Sequence, residues 1–287
     1  MIEKVTFNPQ FEYRKHPMTP RVLVLRAPGT NCDEETAYAF NASGARAEIQ
    51  HINRVLESPG ILDDFQVLCI PGGFSYGDDI AAGRILGSQI CHHLVDPIKK
   101  FREDGKLILG ICNGFQVLAK SGLFCDENSR PLSTASGNGQ PRAEATLAWN
   151  DSGRFEDRWV QLAVVSDRSV FLRGIRSMYL PVAHAEGRFV ARDSGTLQRL
   201  DDDGQLVLRY VSARAEKNGG TVSYPENPNG SERDVAGMID ATGRVLGLMP
   251  HPERYIDRTQ HPRWTRGEGS QPGDGLRIFE NAVNYFQ

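Results

Sequence analysis

The sequence predicts an α/β fold: a mostly parallel sheet with helices on both faces and a β-rich C-terminal portion. Three observations carry this. Short apolar runs alternate with helix-patterned stretches up to about residue 140. The runs at 21–26, 65–70 and 106–111 are short and apolar, while 47–52 alternates, and strand alternating with helix argues for a mostly parallel sheet covered on both faces. Beyond residue 140, β-like runs follow one another between turn-rich stretches. The 287 residues suffice for one large α/β domain or two small ones.

The elements follow in order. Residues 1–20 read as an irregular N-terminal arm, and 21–287 as the folded domain. "RVLVLR" (21–26) has strand length and lies between Pro20 and Pro28. "DEETAYAFNASG" (33–44) carries acids in its first turn and Gly44 at its end, which are helix start and stop signals. "AEIQHI" (47–52) and "FQVLCI" (65–70) are the next strands, the second ended by "PGG" (71–73). Leu86, Ile90, Leu94 and Ile98 recur every four residues along one helix face, with Pro97 set to break or kink it. "KLILGI" (106–111) is the fourth strand and runs directly into Cys112 and a helix. "VQLAVV", "LVLRYV", "VAGMID" and "RVLGLM" predict a β-rich lobe continuous with the same sheet, with turns at "NPNG" (227–230) and "DATG" (240–243). Residues 258–275 read as a surface loop. Leu276, Phe279, Val283 and Phe286 mark a last amphipathic helix.

Composition excludes several classes. With 39% apolar and 24% charged residues the chain is ordinary for a globular protein. Its net charge of −3, acids and bases intermixed, offers no electrostatic grip on nucleic acid or an acidic membrane. No apolar run reaches membrane-spanning length, and the charged, proline-containing start lacks the apolar region of a secretory signal. The five cysteines, Cys32, Cys69, Cys91, Cys112 and Cys125, form no C-x-x-C pair, so we expect free thiols in a reducing cytoplasm. His92 and His93 have no acid or thiol at ligand spacing, and no metal site is expected.

Chemistry concentrates at the joint after the fourth strand. A residue turning sharply from strand to helix sits at the carboxyl edge of the sheet, where open α/β sheets bind ligands. The free N–H groups and positive end of the following helix stabilise a thiolate there, so Cys112 is placed as a nucleophile, its pKa expected to fall. Gly110 and Gly114 keep the turn uncrowded. Taken alone, Cys112 is equally readable as a small buried core residue. "LMPHPERY" (248–255) supplies a base and an orienting acid. Pro252 biases His251 toward extended backbone, where His251 and Glu253 share one side. "CIPGGFSYGDD" (69–79) follows a strand expected beside that of Cys112. The N–H groups of Gly73 and Asn113 can cradle an oxyanion. The stretch is no phosphate-binding loop, because Asp78 and Asp79 stand where Lys and Ser/Thr are needed. Cys32 is a rival nucleophile for which the sequence identifies no base.

With these residues in view, the chain resembles the class I (triad) glutamine amidotransferases, and among them the glutaminase subunits of phosphoribosylformylglycinamidine synthase. The motifs are "PGTNCDEE" (28–35), "PGGFSYGDD" (71–79), "GICNGFQVL" (110–118), "VAHAEGRF" (182–189), "YPENPNGS" (224–231), "DVAGMID" (234–240) and "GLMPHPER" (247–254). The resemblance covers roughly residues 21–287. It implies the flavodoxin-like fold of that class, Cys112 as nucleophile, His251 as base and Glu253 as orienting acid. It aligns the oxyanion donors with Gly73 and Asn113, and a substrate-holding position with Gln116. It implies L-glutamine as substrate, and as partners a synthetase subunit that uses ATP and Mg²⁺ and a small accessory subunit. No cofactor is expected in this chain itself. The arm, residues around 212–222 and the loop near 259–274 are extra relative to a compact member. The roles of His184 and Glu186 stay open between lining the site and facing a partner. Two other readings remain: a different elbow-type cysteine hydrolase or amidase, and a scaffold of the synthetase that has lost chemistry.

Overall fold

The computed structural model describes residues 18–124, 143–212 and 221–287. The N-terminal arm, apart from its last three residues, Cys125 and most of the extra segment near 212–222 lie outside this range. The chain runs β1 (Arg21–Arg26), α1 (Asp33–Ala42), β2 (Arg46–His51), α2 (Ile52–Glu57), β3 (Val67–Ile70), α3 (Arg84–His93), α4 (Val95–Glu103), β4 (Leu107–Ile111) and α5 (Asn113–Ser121). It continues through β5 (Ala145–Ala148), β6 (Glu156–Val164), β7 (Ser177–His184), β8 (Arg188–Ala191), α6 (Ser194–Asp202), β9 (Leu208–Val211), β10 (Val235–Ile239), β11 (Val245–Leu248) and α7 (Leu276–Asn284). Among the described residues no helix is long and apolar enough to cross a membrane.

One nine-stranded sheet holds the order β2-β1-β3-β4-β11-β10-β9-β6-β7. Strands β2, β1, β3, β4 and β11 pair in parallel. The sheet then continues antiparallel through β10, β9, β6 and β7. Every residue of β3, β4 and β11 is buried, which explains why these runs carry no polar alternation. The β-rich half extends the same sheet, as the sequence predicts, except that β5 and β8 pair with each other in a separate two-stranded sheet.

The chain steps one way along the sheet from β1 to β2 and the other way from β3 to β4. Right-handed crossovers therefore put α1 and the α3–α4 pair on opposite faces. Packing agrees: α1 meets α7 through Phe40 edge-on to Phe279, centroids 4.9 Å apart, while α3 packs on α5. The break in the long helical stretch falls at Leu94. Pro97 lies in the first turn of α4, where its missing N–H leaves no intrahelical bond unmade. Continuing the helix would have required that N–H to reach the His93 carbonyl.

The fourth strand and α5 approach so closely that side chains are excluded at the joint. A Cβ on Gly114 would lie 1.8 Å from the Ile70 carbonyl oxygen, and one on Gly110 would lie 2.7 Å from the Gly114 oxygen. Gly60, by contrast, faces open space. Gly114→Ala is therefore expected to lower the unfolding free energy by about 2–3 kcal/mol through overpacking, and Gly60→Ala to change it by less than about 0.5 kcal/mol. Urea titrations of both variants check this; equal effects would mean the joint relaxes freely.

Candidate active site

Strands β4 and β11 are parallel neighbours with Ile111 opposite Leu248. Their ends therefore leave the sheet side by side. The Cys112 N–H donates to the Leu248 carbonyl over 2.8 Å, fixing the start of the turn against the segment that leads to His251. Cys112 itself has φ 50° and ψ −104°, a conformation costing a non-glycine residue about 1–3 kcal/mol. This is the geometry of a nucleophile elbow: the side chain is turned out of the strand while the next residue begins α5.

Strand β7, last in the sheet order, returns to the same place. Its Pro181 carbonyl accepts the His251 N–H at 2.9 Å, and its Ala183 carbonyl accepts from the Cys112 thiol at 3.7 Å. The antiparallel half of the sheet thus curls back over the carboxyl ends of the parallel strands. Pro181 is tolerated because β7 is an edge strand.

His251 and Glu253 do meet, but not by the strand alternation the sequence suggests: Pro252–Arg254 forms a 3₁₀ turn with His251 at its N-cap, and this turn brings Glu253 back to the ring. Their side chains meet at 2.6 Å between Nδ1 and Oε1, and both are buried. Burial draws the imidazole pKa down, but the Glu253 carboxylate, followed by the nearby Cys112, outweighs it and holds the pKa well above the ordinary histidine range. Nε2 of His251 and Oε2 of Glu253 are buried without a hydrogen-bond partner. The ring is thus oriented through Nδ1, leaving Nε2 available for proton exchange.

Cys112, Gly73 and Gln116 line one cavity of about 270 Å³, together with Phe74, Gly77, Asp78 and Ala82 from one wall and Trp149 and residues 183–186 from the other. Asn113 is the first residue of α5, so its N–H has no intrahelical acceptor. Its side-chain amide donates to Asp78 Oδ1 at 3.1 Å and to Gln116 Oε1 at 3.0 Å. Gln116 in turn donates from Nε2 to the Glu186 carbonyl at 2.5 Å. Both ends of Gln116 are engaged, and it braces the opposite wall. Two wider depressions, of about 620 and 740 Å³, contain no cysteine.

Cys32 requires a correction. The sequence identifies no base for it, yet α1 begins beside the triad histidine: Cys32, His251 and Glu253 bring sulfur, nitrogen and oxygen atoms within 4.8 Å of one another. Nothing in the spacing of residues 32 and 251 announces this, because it depends on how the β1–α1 joint packs. Among the described residues, these three also form the group of potential metal ligands whose donor atoms lie together. Two facts separate Cys32 from Cys112. It does not line the cavity, and its side chain is tied to the Arg254 guanidinium. Its sulfur accepts from Arg254 Nη2 at 3.1 Å, with Arg254 paired to Glu35 at 2.8 Å, while it also interacts with the His251 ring, and burial pushes its thiol pKa up.

His184 and Glu186 both line the cavity. The ring nitrogens of His184 meet Asn150 Oδ1 at 3.2 Å and Asn229 Nδ2 at 3.5 Å. Burial, with the nearby charge of His251, lowers its pKa to about 3, so it is a neutral structural ring. His92 and His93 are exposed.

Comparisons with known proteins bear on this arrangement. Residues 19–286 match the model of the CobB/CobQ-like glutamine amidotransferase domain. The phosphoribosylformylglycinamidine synthase subunit PurQ of Dehalococcoides mccartyi is 44% identical over 266 residues, covering 92% of this chain and 97% of that protein. The protein of the same name from Methanococcus maripaludis strain C5 is 41% identical, covering 94% and 99%. A chain in the solved structure of PurLQS from Thermotoga maritima superposes with a TM-score of 0.68 at 30% identity, covering 94% of this chain and all of that one.

The raised pKa of His251 has a signed consequence. Its folded value exceeds the unfolded one, so its proton stabilises the fold fully below about pH 6.5, and that contribution is lost as pH rises through the folded value. Replacing Glu253 by Gln removes the main opposing charge and leaves burial to dominate. Ring ¹⁵N NMR should find His251 protonated at neutral pH in the wild type and neutral in Glu253→Gln. Identical titrations would show that Glu253 does not set the charge of the ring.

Proposed function

As the chain belongs to the CobB/CobQ-like glutamine amidotransferase family, we propose that it is the glutaminase subunit of a phosphoribosylformylglycinamidine synthase. It hydrolyses L-glutamine and supplies the ammonia to a synthetase partner. The observation that carries the reading is the buried His251–Glu253 pair beside a backbone-strained Cys112 that opens into a cavity of about 270 Å³.

The Cys112 thiolate attacks the side-chain carboxamide carbon of glutamine. The carbonyl π electrons move onto oxygen, which the N–H groups of Gly73 and Asn113 stabilise. On collapse of the tetrahedral intermediate the C–N bond breaks, protonated His251 gives its proton to the departing nitrogen, and ammonia leaves. A γ-glutamyl thioester and a neutral imidazole remain. His251 then takes a proton from water as the water oxygen adds to the thioester carbon. Collapse expels the Cys112 thiolate, and glutamate leaves. General acid–base help of this kind is worth ~10²–10⁴-fold, and each oxyanion donor ~10²–10³-fold. Glu253 keeps Nδ1 protonated and the ring in register, so that Nε2 handles every transferred proton.

Ammonia released into water would be diluted and protonated, so the product is most useful when the consumer sits at the site. The structure of a relative titled PurLQS supports a synthetase partner, which by this reading uses ATP and Mg²⁺ to form formylglycinamidine ribonucleotide in purine biosynthesis. A small accessory subunit completes the complex. Exposed aromatic side chains around the cavity mouth, Trp149 and the stacked pair Phe74 and Phe155, are the kind of surface that a protein partner covers.

In the assembled complex, Cys112→Ala should abolish glutamine-dependent synthesis and spare synthesis from added ammonia. His251→Ala should cost ~10²–10⁴-fold in glutamine-dependent rate, and Glu253→Ala less. Loss of ammonia-dependent synthesis in Cys112→Ala would make the residue structural. Peptide cleavage without glutamine turnover would favour another elbow-type hydrolase.

A further inference from the structure

The charges lining the cavity are one-sided. Of its lining residues, Asp78 and Glu186 are acids, His184 is neutral, and none is a lysine or arginine. Lys120 approaches Glu186 Oε2 at 3.7 Å from outside that lining, and its ammonium is also hydrogen-bonded to the Ala82 carbonyl. One lysine therefore faces two carboxylates, and the cavity keeps one negative charge without a counter-charge.

Both acids are held in place by neighbours. Asp78 Oδ1 accepts from Asn113 Nδ2 at 3.1 Å, and Glu186 Oε2 accepts from the Ala82 N–H at 3.2 Å. The Glu186 backbone is tied to Gln116, one helical turn beyond Cys112. Burial raises the Asp78 pKa, and the nearby Glu186 charge adds to it, as expected of two acids that share one lysine. These two side chains are fixed at the wall of the compartment that the nucleophile enters.

We propose that Asp78 and Glu186 bind the α-ammonium group of the substrate, so that the site selects a free amino acid rather than an amide lacking that charge. The inference rests on the glutaminase reading of the preceding section and deepens it. A cation at this position supplies the missing counter-charge. It also orients the side-chain amide toward Cys112, because a substrate held at its amino end can extend only along the cavity. A side-chain amide inside a peptide, whose nitrogen is acylated and uncharged, is rejected because one of the two carboxylates would keep no counter-charge beyond Lys120.

The test compares L-glutamine with 5-amino-5-oxopentanoate, which has hydrogen in place of the α-ammonium, as substrates of the complex with the synthetase. The wild type should prefer glutamine. Asp78→Asn and Glu186→Gln should each reduce the ratio of the two kcat/KM values by about 10- to 100-fold, the worth of a hydrogen bond to a charged group. The loss should lie mainly in KM for glutamine. Glu186 also holds Lys120 and Ala82, so alkylation of Cys112 by iodoacetamide serves to check that the Glu186→Gln site is intact, and Asp78→Asn carries the test if it is not. An unchanged ratio in Asp78→Asn and in any intact Glu186→Gln overturns the inference while leaving the glutaminase reading standing. Absence of glutamine turnover by the wild-type complex would overturn that reading and the inference with it.

Discussion

The backbone hydrogen bond from Cys112 to Leu248 ties the end of β4 to the end of β11, and the rest of the site depends on it. It holds the elbow in a strained conformation and sets the register from which the chain reaches His251 three residues later. Two parallel neighbouring strands ending level with each other are the simplest way to bring a nucleophile and its base to one edge from positions far apart in sequence. The strain at Cys112 is sustained because the joint is overdetermined by the parallel strands beneath it, by the close approach of α5 and by the β7 carbonyls above.

Curvature of the sheet gives the site its second wall. By strand order β7 is far from β4, yet Pro181 and Ala183 make bonds to His251 and Cys112. The turn that follows β7 carries Glu186 into the cavity and leaves His184 locked between Asn150 and Asn229. A residue on this turn thus influences chemistry on the opposite wall through Gln116, which is anchored at both ends. This division of labour is physical. The parallel half supplies reacting groups at strand ends, and the antiparallel half supplies the enclosure.

Much of this was legible from the residues. Strands β1, β3, β4 and β11 are short apolar runs buried on both faces, so composition alone reveals them. The joint at Cys112 follows from local backbone geometry; the pair at 251 and 253 is identifiable from the residues, but it meets through a 3₁₀ turn and not through extended backbone. What escaped depends on context. Strand β7 contains Pro181, which argues against a strand until its edge position is known. Helix α6 buries only Thr196 and Leu200, too few apolar positions to mark a period, and its N-cap, Asp193 bonded to the Thr196 N–H, is the one local sign of it. The nearness of Cys32 to His251 and the convergence of Asp78 with Glu186 are tertiary facts. The "AHAEG" stretch, which closes β7 and opens the turn after it, was the only hint of the second. Residues near 259–274 form a surface loop as the sequence predicts, with two short 3₁₀ turns at Arg258–Gln260 and Trp264–Arg266. His261 packs among Trp159, Tyr179 and Tyr255 at its base.

The central claim is that Cys112, and not Cys32, is the thiol that His251 serves. A diazoketone analogue of glutamine alkylates the nucleophile with loss of dinitrogen, and peptide mass mapping locates the adduct. In the complex with the synthetase, the account predicts one adduct, on Cys112, formed much more slowly in His251→Ala. An adduct on Cys32, or none at all under conditions where ammonia-dependent synthesis proceeds, would contradict it.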